Sequence, residues 1–376
     1  MCGIAGFLAR DSAGFSESVL TLMTRRLAHR GPDGQGSWMD AQIGVGLGHR
    51  RLSIIDLSAA GDQPMVSGSG RYVIVYNGEI YNYRRLRDEL ASLRHQFRGQ
   101  SDTEVFLSAV EQWGVTGAVG RLNGIFAFAL WDTRDKTLHL GRDHLGVKPL
   151  YVGRVGRALI FASELKALTV CPGFDATIDR DALALLTRHN CIPAPHSIYR
   201  SVRKLLPGTV ATYRATSEDV TVSTYWTVRQ AAVQGVQNRL SLPDSEVVDQ
   251  LDQLLRDAVS MQMISDVPLG AFLSGGIDSS TVVALMQAQS VRPVRTFSIG
   301  SDVTRYDEAP FARAVAKHLG TEHTELYVSA ADALATIPGL PQIYDEPFSD
   351  SSQIPTLLVS RLARRSVTVS ARWPTE

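Results

Sequence analysis

Apolar residues along positions 1–205 fall mostly in short runs, alternating or near-continuous and broken by glycines. Runs at 2–8, 43–49, 71–76, 125–131, 137–141 and 159–162 predict strands. Three stretches keep helical spacing instead. Val19, Leu22, Met23 and Leu27 mark the first, which Gly31-Pro32 stops, and Leu86, Leu90 and Leu93 mark the second. The third opens with Ser101-Asp102-Thr103-Glu104, a capping-box pattern, and continues through Val105, Phe106, Ala109, Val110 and Trp113. Short strands with a few helices predict an α+β domain of layered, mainly antiparallel sheets over residues 2–205. Residues 206–240 are polar and irregular, and read as a strand or two followed by a linker.

The texture changes at 241. Val247, Val248, Leu251, Leu254, Leu255 and Ala258 lie on one helical face after Asp244. A strand at 269–273, a helix at 279–289, a strand at 294–299, a helix at 306–319 and a strand at 322–328 follow. That β-α-β-α-β order predicts an α/β domain with a parallel sheet over 241–376.

Composition narrows the function. Lys+Arg and Asp+Glu both number 38, so no global field draws the chain to nucleic acid or an anionic membrane. No apolar run approaches a membrane span, and the N-terminus has no basic region before its apolar start. Three cysteines, without zinc spacing, suit a reduced, cytoplasmic setting.

Candidate chemistry sits in two places. The segment Leu273-Ser274-Gly275-Gly276-Ile277-Asp278-Ser279-Ser280 runs from a strand end through two glycines into a helix start. Backbone N–H groups and a helix N-terminus there suit a pyrophosphate, with serine hydroxyls as further donors. Asp278 is the candidate carboxylate for a Mg2+ ion accompanying the nucleotide. No Walker lysine is present. A plain strand-turn-helix connection is the competing reading, and the number of matching positions weighs against it. The loop resembles the PP-loop of ATP pyrophosphatases, which cleave ATP between the α and β phosphates.

The second place is Cys2. A lone cysteine is usually a small buried hydrophobe. At position two, removal of Met1 would leave it as the first residue, with thiol and α-amine together. An α-amine has an ordinary pKa near 7.7–8.0, so it can serve as the base of an N-terminal nucleophile. Further motifs follow: His29 to Gly34 (HRGPDG), Gly48 to Asp56 (GHRRLSIID), Tyr76 to Asn82 (YNGEIYN), Ser101 to Glu104 and Arg142 to Tyr151 (RDHLGVKPLY). Together with Cys2-Gly3-Ile4-Ala5-Gly6-Phe7 they resemble class II glutamine amidotransferases. With the later SGGIDSS, the chain resembles the glutamine-hydrolysing asparagine synthetase family from residue 2 to about 370.

The resemblance implies an N-terminal nucleophile hydrolase domain followed by a PP-loop domain. It assigns nucleophilic attack on glutamine to Cys2, and oxyanion donors to the Asn77 side chain and the Gly78 N–H. Arg51 would hold the substrate α-carboxylate, Glu79 and Asp102 its α-amine, and Leu52, Ser53, Ile54 and Ile55 would shape the pocket. Leu273, Ser274, Gly275, Gly276, Asp278, Ser279 and Ile299 would hold ATP. The ammonia would amidate an adenylated aspartate, giving AMP and pyrophosphate. Small-molecule partners are therefore glutamine, aspartate and ATP; a homodimer is compatible with this reading. Plainer readings exist for single residues. Arg50 and Arg51 suit surface cations, Asn77-Gly78 suits an ordinary turn, and Asp102 suits a helix start. His29, His49 and His144 are expected to pack or to support neighbours. Two other functions fit the same motifs: amidation of a sugar acid or peptide, and a non-catalytic glutamine-binding remnant. Tyr344-Asp345-Glu346-Pro347 and Ser351 to Pro355 look closer to the branch found with polysaccharide genes.

The resemblance breaks near Ser370, where a second loop like SGDGGDE is expected. The chain reads Ala371-Arg372-Trp373-Pro374-Thr375-Glu376. The expectation is a frameshift, checked by resequencing around codon 370, and a second domain that is poorly stable alone or dependent on a partner.

Overall fold

A computed structural model describes residues 1–9, 14–303, 305 and 307–371. The chain divides into two compact units: Met1–Arg239 with Asp345–Phe348, and Leu240–Tyr344 with Ser349–Glu376.

In the first unit the elements are β1 (Gly3–Leu8), α1 (Glu17–Arg25), β2 (Gly34–Asp40), β3 (Val45–Arg51), β4 (Met65–Val66), β5 (Tyr72–Ile80), α2 (Tyr83–Ser92), α3 (Asp102–Val119), β6 (Gly124–Asp132), β7 (Thr137–Arg142), β8 (Tyr151–Val155), β9 (Ala158–Ala162), α4 (Arg180–His189), β10 (Val202–Lys204), β11 (Thr209–Arg214), β12 (Val220–Thr224) and α5 (Val228–Gln237). They build two six-stranded sheets in the orders β10-β8-β9-β1-β3-β2 and β12-β11-β7-β6-β5-β4. Every pairing in both is antiparallel.

The layers follow from the two faces of the strands. Ile4, Leu8, Val45, Leu47 and Phe161 of one sheet pack on Val73, Val75, Ala129, Trp131 and Leu140 of the other. Residues one position along point outward, as strand geometry requires. Ala5, Phe7 and Ile160 meet Val19, Leu20 and Met23 of α1 and Ala182 of α4. On the far side, Tyr76, Phe126 and Phe128 surround Phe106 of α3, with edge-on and tilted rings. The unit is therefore four layers: helices, sheet, sheet, helices. Glycine lets β1 run centrally, since a Cβ on Gly6 would lie 2.3 Å from the Gly46 carbonyl oxygen.

Some details differ from the sequence reading. Ser101 caps α3 by accepting from the Glu104 N–H. The Glu104 carboxylate does not complete the box; it accepts from the N–H groups of Arg98 and Gly99 in the preceding loop. The strands β2, β8 and β10 have no clean apolar alternation and were not expected. The stretch 206–240 holds β11 and β12, both within the second sheet, and α5.

The second unit contains α6 (Asp244–Gln262), β13 (Leu269–Phe272), α7 (Ile277–Gln289), β14 (Arg295–Ser301), α8 (Ala309–Leu319), β15 (Glu322–Val328), α9 (Ala330–Thr336), α10 (Leu340–Ile343), α11 (Gln353–Ala363) and β16 (Val369–Ala371). The sheet is parallel, in the order β15-β14-β13-β16. Tyr306, expected to open a helix, and the terminal residues after Ala371 lie outside the described residues. Ala271, Val283, Met286, Val294, Ala312 and Ala316 form one small core, and Phe297, Val359, Ala363 and Val367 another. Helix α6 has no buried residue, and Val248, Leu251 and Leu254 on its apolar face are exposed. No helix among the described residues is long and apolar enough to cross a membrane.

Candidate active site

One cavity of the first unit gathers residues from five parts of the chain. Cys2 precedes β1, Arg51 ends β3, and Leu52, Ile54 and Ile55 follow it. Tyr76, Asn77, Gly78 and Glu79 come from β5, and Asp102 from the first turn of α3. Ser53 is outside this lining; its N–H donates to Asp33. Cys2, Arg51, Asn77, Gly78, Glu79 and Asp102, scattered through a hundred residues, thus share one cavity.

The nucleophile candidate is held by backbone. Cys2 Sγ accepts from the Leu52 N–H at 3.4 Å and lies 3.6 Å from the Leu52 carbonyl oxygen. Burial pushes its thiol up, so it stays protonated at neutral pH without a base. Met1 is half exposed, yet burial lowers its α-amine to about 5, in the field of Cys2, Lys148 and Glu79. The Met1 amine is therefore neutral at pH 7.

Asn77 is 1% exposed, and both its Nδ2 and its Oδ1 are buried without a hydrogen-bond partner among the described residues. A buried amide normally finds partners, and leaving one unpaired costs roughly 1–3 kcal/mol. At a cavity wall, the orphaned group points to a ligand that supplies the missing bonds.

The carboxylates are set differently. Burial raises Asp102 to about 6, against the N–H of Ile80 at 2.9 Å and the Tyr76 hydroxyl at 3.3 Å, both of which donate to it. Burial also raises Glu79, and the Lys148 ammonium opposes that shift. Arg51 donates to Asp62 at 2.7 Å, to the Ser58 carbonyl at 3.0 Å and to the Asp56 carbonyl. These bonds fix the guanidinium plane beside Gly61, where any Cβ would collide with it.

Sequence reasoning missed several residues of the lining, chiefly Lys148 and Gln63. Lys148 is placed by Asp143, whose carboxylate accepts from the N–H groups of Leu145, Val147 and Lys148 and so shapes the whole turn. A lysine between apolar neighbours in Gly146-Val147-Lys148-Pro149-Leu150 was the available signal. Gln63 accepts from the Tyr76 N–H at 2.6 Å and donates to Thr103 at 3.2 Å, tying β5 to α3. Of the histidines, His49 is buried and held near 3 by desolvation, hence neutral, bonding the Tyr76 carbonyl at 3.1 Å. His29 bonds Glu164, and His144 packs edge-on against Tyr225 and Trp226.

In the second unit the expected nucleotide loop joins β13 to α7. Gly275 has φ +82°, and its missing Cβ admits the Phe311 and Ala312 backbone. Ser274 and Ser279 hydroxyls lie 2.9 Å apart, and the Gly276 N–H donates to Ser274. Gly276 caps α7 without a side-chain bond, and the Ser280 hydroxyl is buried without a partner among the described residues. First-turn N–H groups left uncapped in this way suit phosphate oxygens. Leu273 is buried in the unit's core, so only its backbone can face the loop, whereas Ile299 is half-buried in β14. Among the described residues, no group of three His, Cys, Asp or Glu is placed to hold a metal.

Comparison with known proteins adds an independent line. Residues 1–226 match the family described as "Glutamine amidotransferase domain", and residues 250–370 the one described as "Asparagine synthase". The chain is 35% identical over 374 residues to asparagine synthetase (glutamine-hydrolyzing) 1 of Bacillus subtilis, covering 98% of this chain and 57% of that protein. It is 36% identical over 386 residues to a putative enzyme of the same name from Mycobacterium bovis, covering 98% and 58%. For the putative asparagine synthetase (glutamine-hydrolyzing) 2 of Methanocaldococcus jannaschii the identity is 35% over 395 residues, covering 98% and 73%. The chain thus spans less than three-fifths of the first two relatives.

Proposed function

The chain belongs to the glutamine-hydrolysing asparagine synthetase family, and on that premise we propose that its first unit hydrolyses glutamine to glutamate and ammonia. The observation that carries this reading is the Asn77 amide, unpartnered among the described residues, sharing a cavity with the Cys2 thiol. Once Met1 is removed, the Cys2 amine takes the thiol proton and Sγ attacks the side-chain amide carbon of glutamine. The carbonyl oxygen becomes an oxyanion, which accepts from Asn77 Nδ2 and the Gly78 N–H. Donors of this kind are worth about 3–4 kcal/mol in the transition state. The amide nitrogen leaves as ammonia, taking the proton back from the amine. Water then cleaves the thioester and releases glutamate. Asp102 and Glu79 hold the substrate ammonium, and Arg51 its α-carboxylate.

The second unit is proposed to bind ATP through Ser274, Gly275, Gly276 and Ser279, with Asp278 reaching a magnesium ion on the phosphates. Bound there, ATP would supply the adenylate that ammonia converts to an amide on aspartate. A homodimer and a cytoplasmic setting belong to the same proposal.

The test is glutamate release by mass-verified protein lacking Met1, with and without ATP, magnesium and aspartate, scoring asparagine and AMP together. Glutamate release is expected in every tube containing glutamine. Its absence would end the glutaminase reading, and asparagine without AMP would end the adenylation reading.

A further inference from the structure

Asp345–Phe348 lies within the sequence matched to asparagine synthase, yet belongs to the first unit. Two of its residues enter ion pairs there, and one pair leads to the nucleophile.

The chain of contacts starts at Cys2. Arg30, 7% exposed at its side chain, donates from Nε to the Cys2 carbonyl at 2.8 Å. Its Nη1 bonds Glu164 at 2.7 Å. The same carboxylate takes Lys166 Nζ at 2.8 Å and His29 at 2.9 Å, and its hydrogen bonds to His29, Lys166 and Arg30, with the Arg30 charge, hold it near 2 against the cost of burial. Lys166 Nζ then reaches Asp345 at 3.1 Å, and the Lys166 N–H donates to the same carboxylate at 2.9 Å. Next door, Glu346 pairs with Lys204 at 2.6 Å and accepts from the Tyr151 hydroxyl and the Ile198 N–H.

Charge balance makes Asp345 matter at Cys2. Two guanidinium or ammonium cations, Arg30 and Lys166, face two carboxylates, Glu164 and Asp345. Removing Asp345 takes a carboxylate from Lys166 and leaves Glu164 shared between Lys166 and Arg30, so that partly buried cations compete for it. Arg30 is the group that fixes the Cys2 carbonyl, so its loosening moves the nucleophile.

We propose that Asp345 is a positioning residue for Cys2, acting through Lys166, Glu164 and Arg30. The glutaminase site is then completed by a residue from the synthetase-like sequence, and a strain on that segment reaches the nucleophile. The inference rests on the glutaminase reading above.

The experiment compares the full chain with Asp345→Asn, Asp345→Glu and Glu346→Gln. Glu346→Gln loosens the same segment without touching Lys166. Each protein is assayed for glutamate release and for the rate of Cys2 alkylation by iodoacetamide, read by peptide mass spectrometry. The expected result is a tenfold or larger fall in kcat for Asp345→Asn with KM within threefold. Cys2 alkylation should change in parallel, Asp345→Glu should recover most of the loss, and Glu346→Gln should keep kcat within threefold. Equal kcat losses in Asp345→Asn and Glu346→Gln, or an Asp345→Asn kcat within twofold of the parent, would overturn the proposal. An inactive parent whose Cys2 alkylation still responds to Asp345→Asn alone would sink the glutaminase reading and leave the positioning role supported.

Discussion

Asn77 and Asp102 illustrate how a residue's surroundings make it more than its type. An Asn-Gly pair in a sequence reads as a turn, but Asn77 sits inside β5, opposite Ala127, with its amide unpaired among the described residues. Asn77→Ala is expected to lower kcat for glutamate release by about 10²–10³-fold with a smaller change in KM, in steady-state assays. In the proposed reaction Asp102 carries the pH dependence. Its burial raises it from 3.8 to about 6, so below about pH 6 it takes up a proton and cannot pair with the substrate ammonium. Activity as kcat/KM should therefore fall as pH drops through about 6, and a profile flat from pH 5 to 7 would contradict this role. The sign for stability is opposite. The folded chain holds that proton more tightly than the unfolded one, so this group's contribution weakens as pH rises from about 4 to about 6. Lys148 was invisible as a site residue because its burial depends on the turn that Asp143 organises.

At the scale of elements, strands with one apolar and one polar or differently packed face were legible, while strands without that pattern, such as β2, β8 and β10, were not. β2 and β10 lie at the two edges of one sheet, where hydrogen bonding to a neighbour substitutes for apolar alternation. Local capping was half legible. Ser101 performs the expected bond, while Glu104 satisfies a loop that sequence spacing does not reveal. The β13–α7 loop depends on one glycine. Gly275→Ala forces a Cβ into a positive-φ position and within 2.8 Å of the Ala312 nitrogen. The expected cost is about 1–3 kcal/mol of stability, with weakened ATP binding. Calorimetric titration with ATP and a denaturant melt would check both.

For the whole molecule, the two units are unequally built. The first has two sheets with a shared core and helices on both outer faces. The second has smaller cores, and α6 leaves Val248, Leu251 and Leu254 exposed. Exposed apolar surface forgoes about 25 cal/mol per Å² of burial, so this region should open at lower free energy. Limited proteolysis is expected to cut first within residues 228–262, leaving a fragment of the first unit intact by mass spectrometry. First cuts inside β1, β5 or β6 would contradict that.

The sequence by itself determined the strand-and-helix textures of both halves, the two motif sets and the family they indicate. Those depend on local periodicity and on residue types at short spacing, which a linear chain carries in full. Only the tertiary structure decided which of those residues meet. Packing the sheets brings Cys2, Asn77, Glu79 and Asp102 to one cavity, keeps Ser53 out of it, and draws Lys148 in. It also sets Asp345 against Lys166 across 179 positions of chain. Burial, and with it the shifted protonation of Cys2, Asp102 and His49, arises only when distant segments exclude water together.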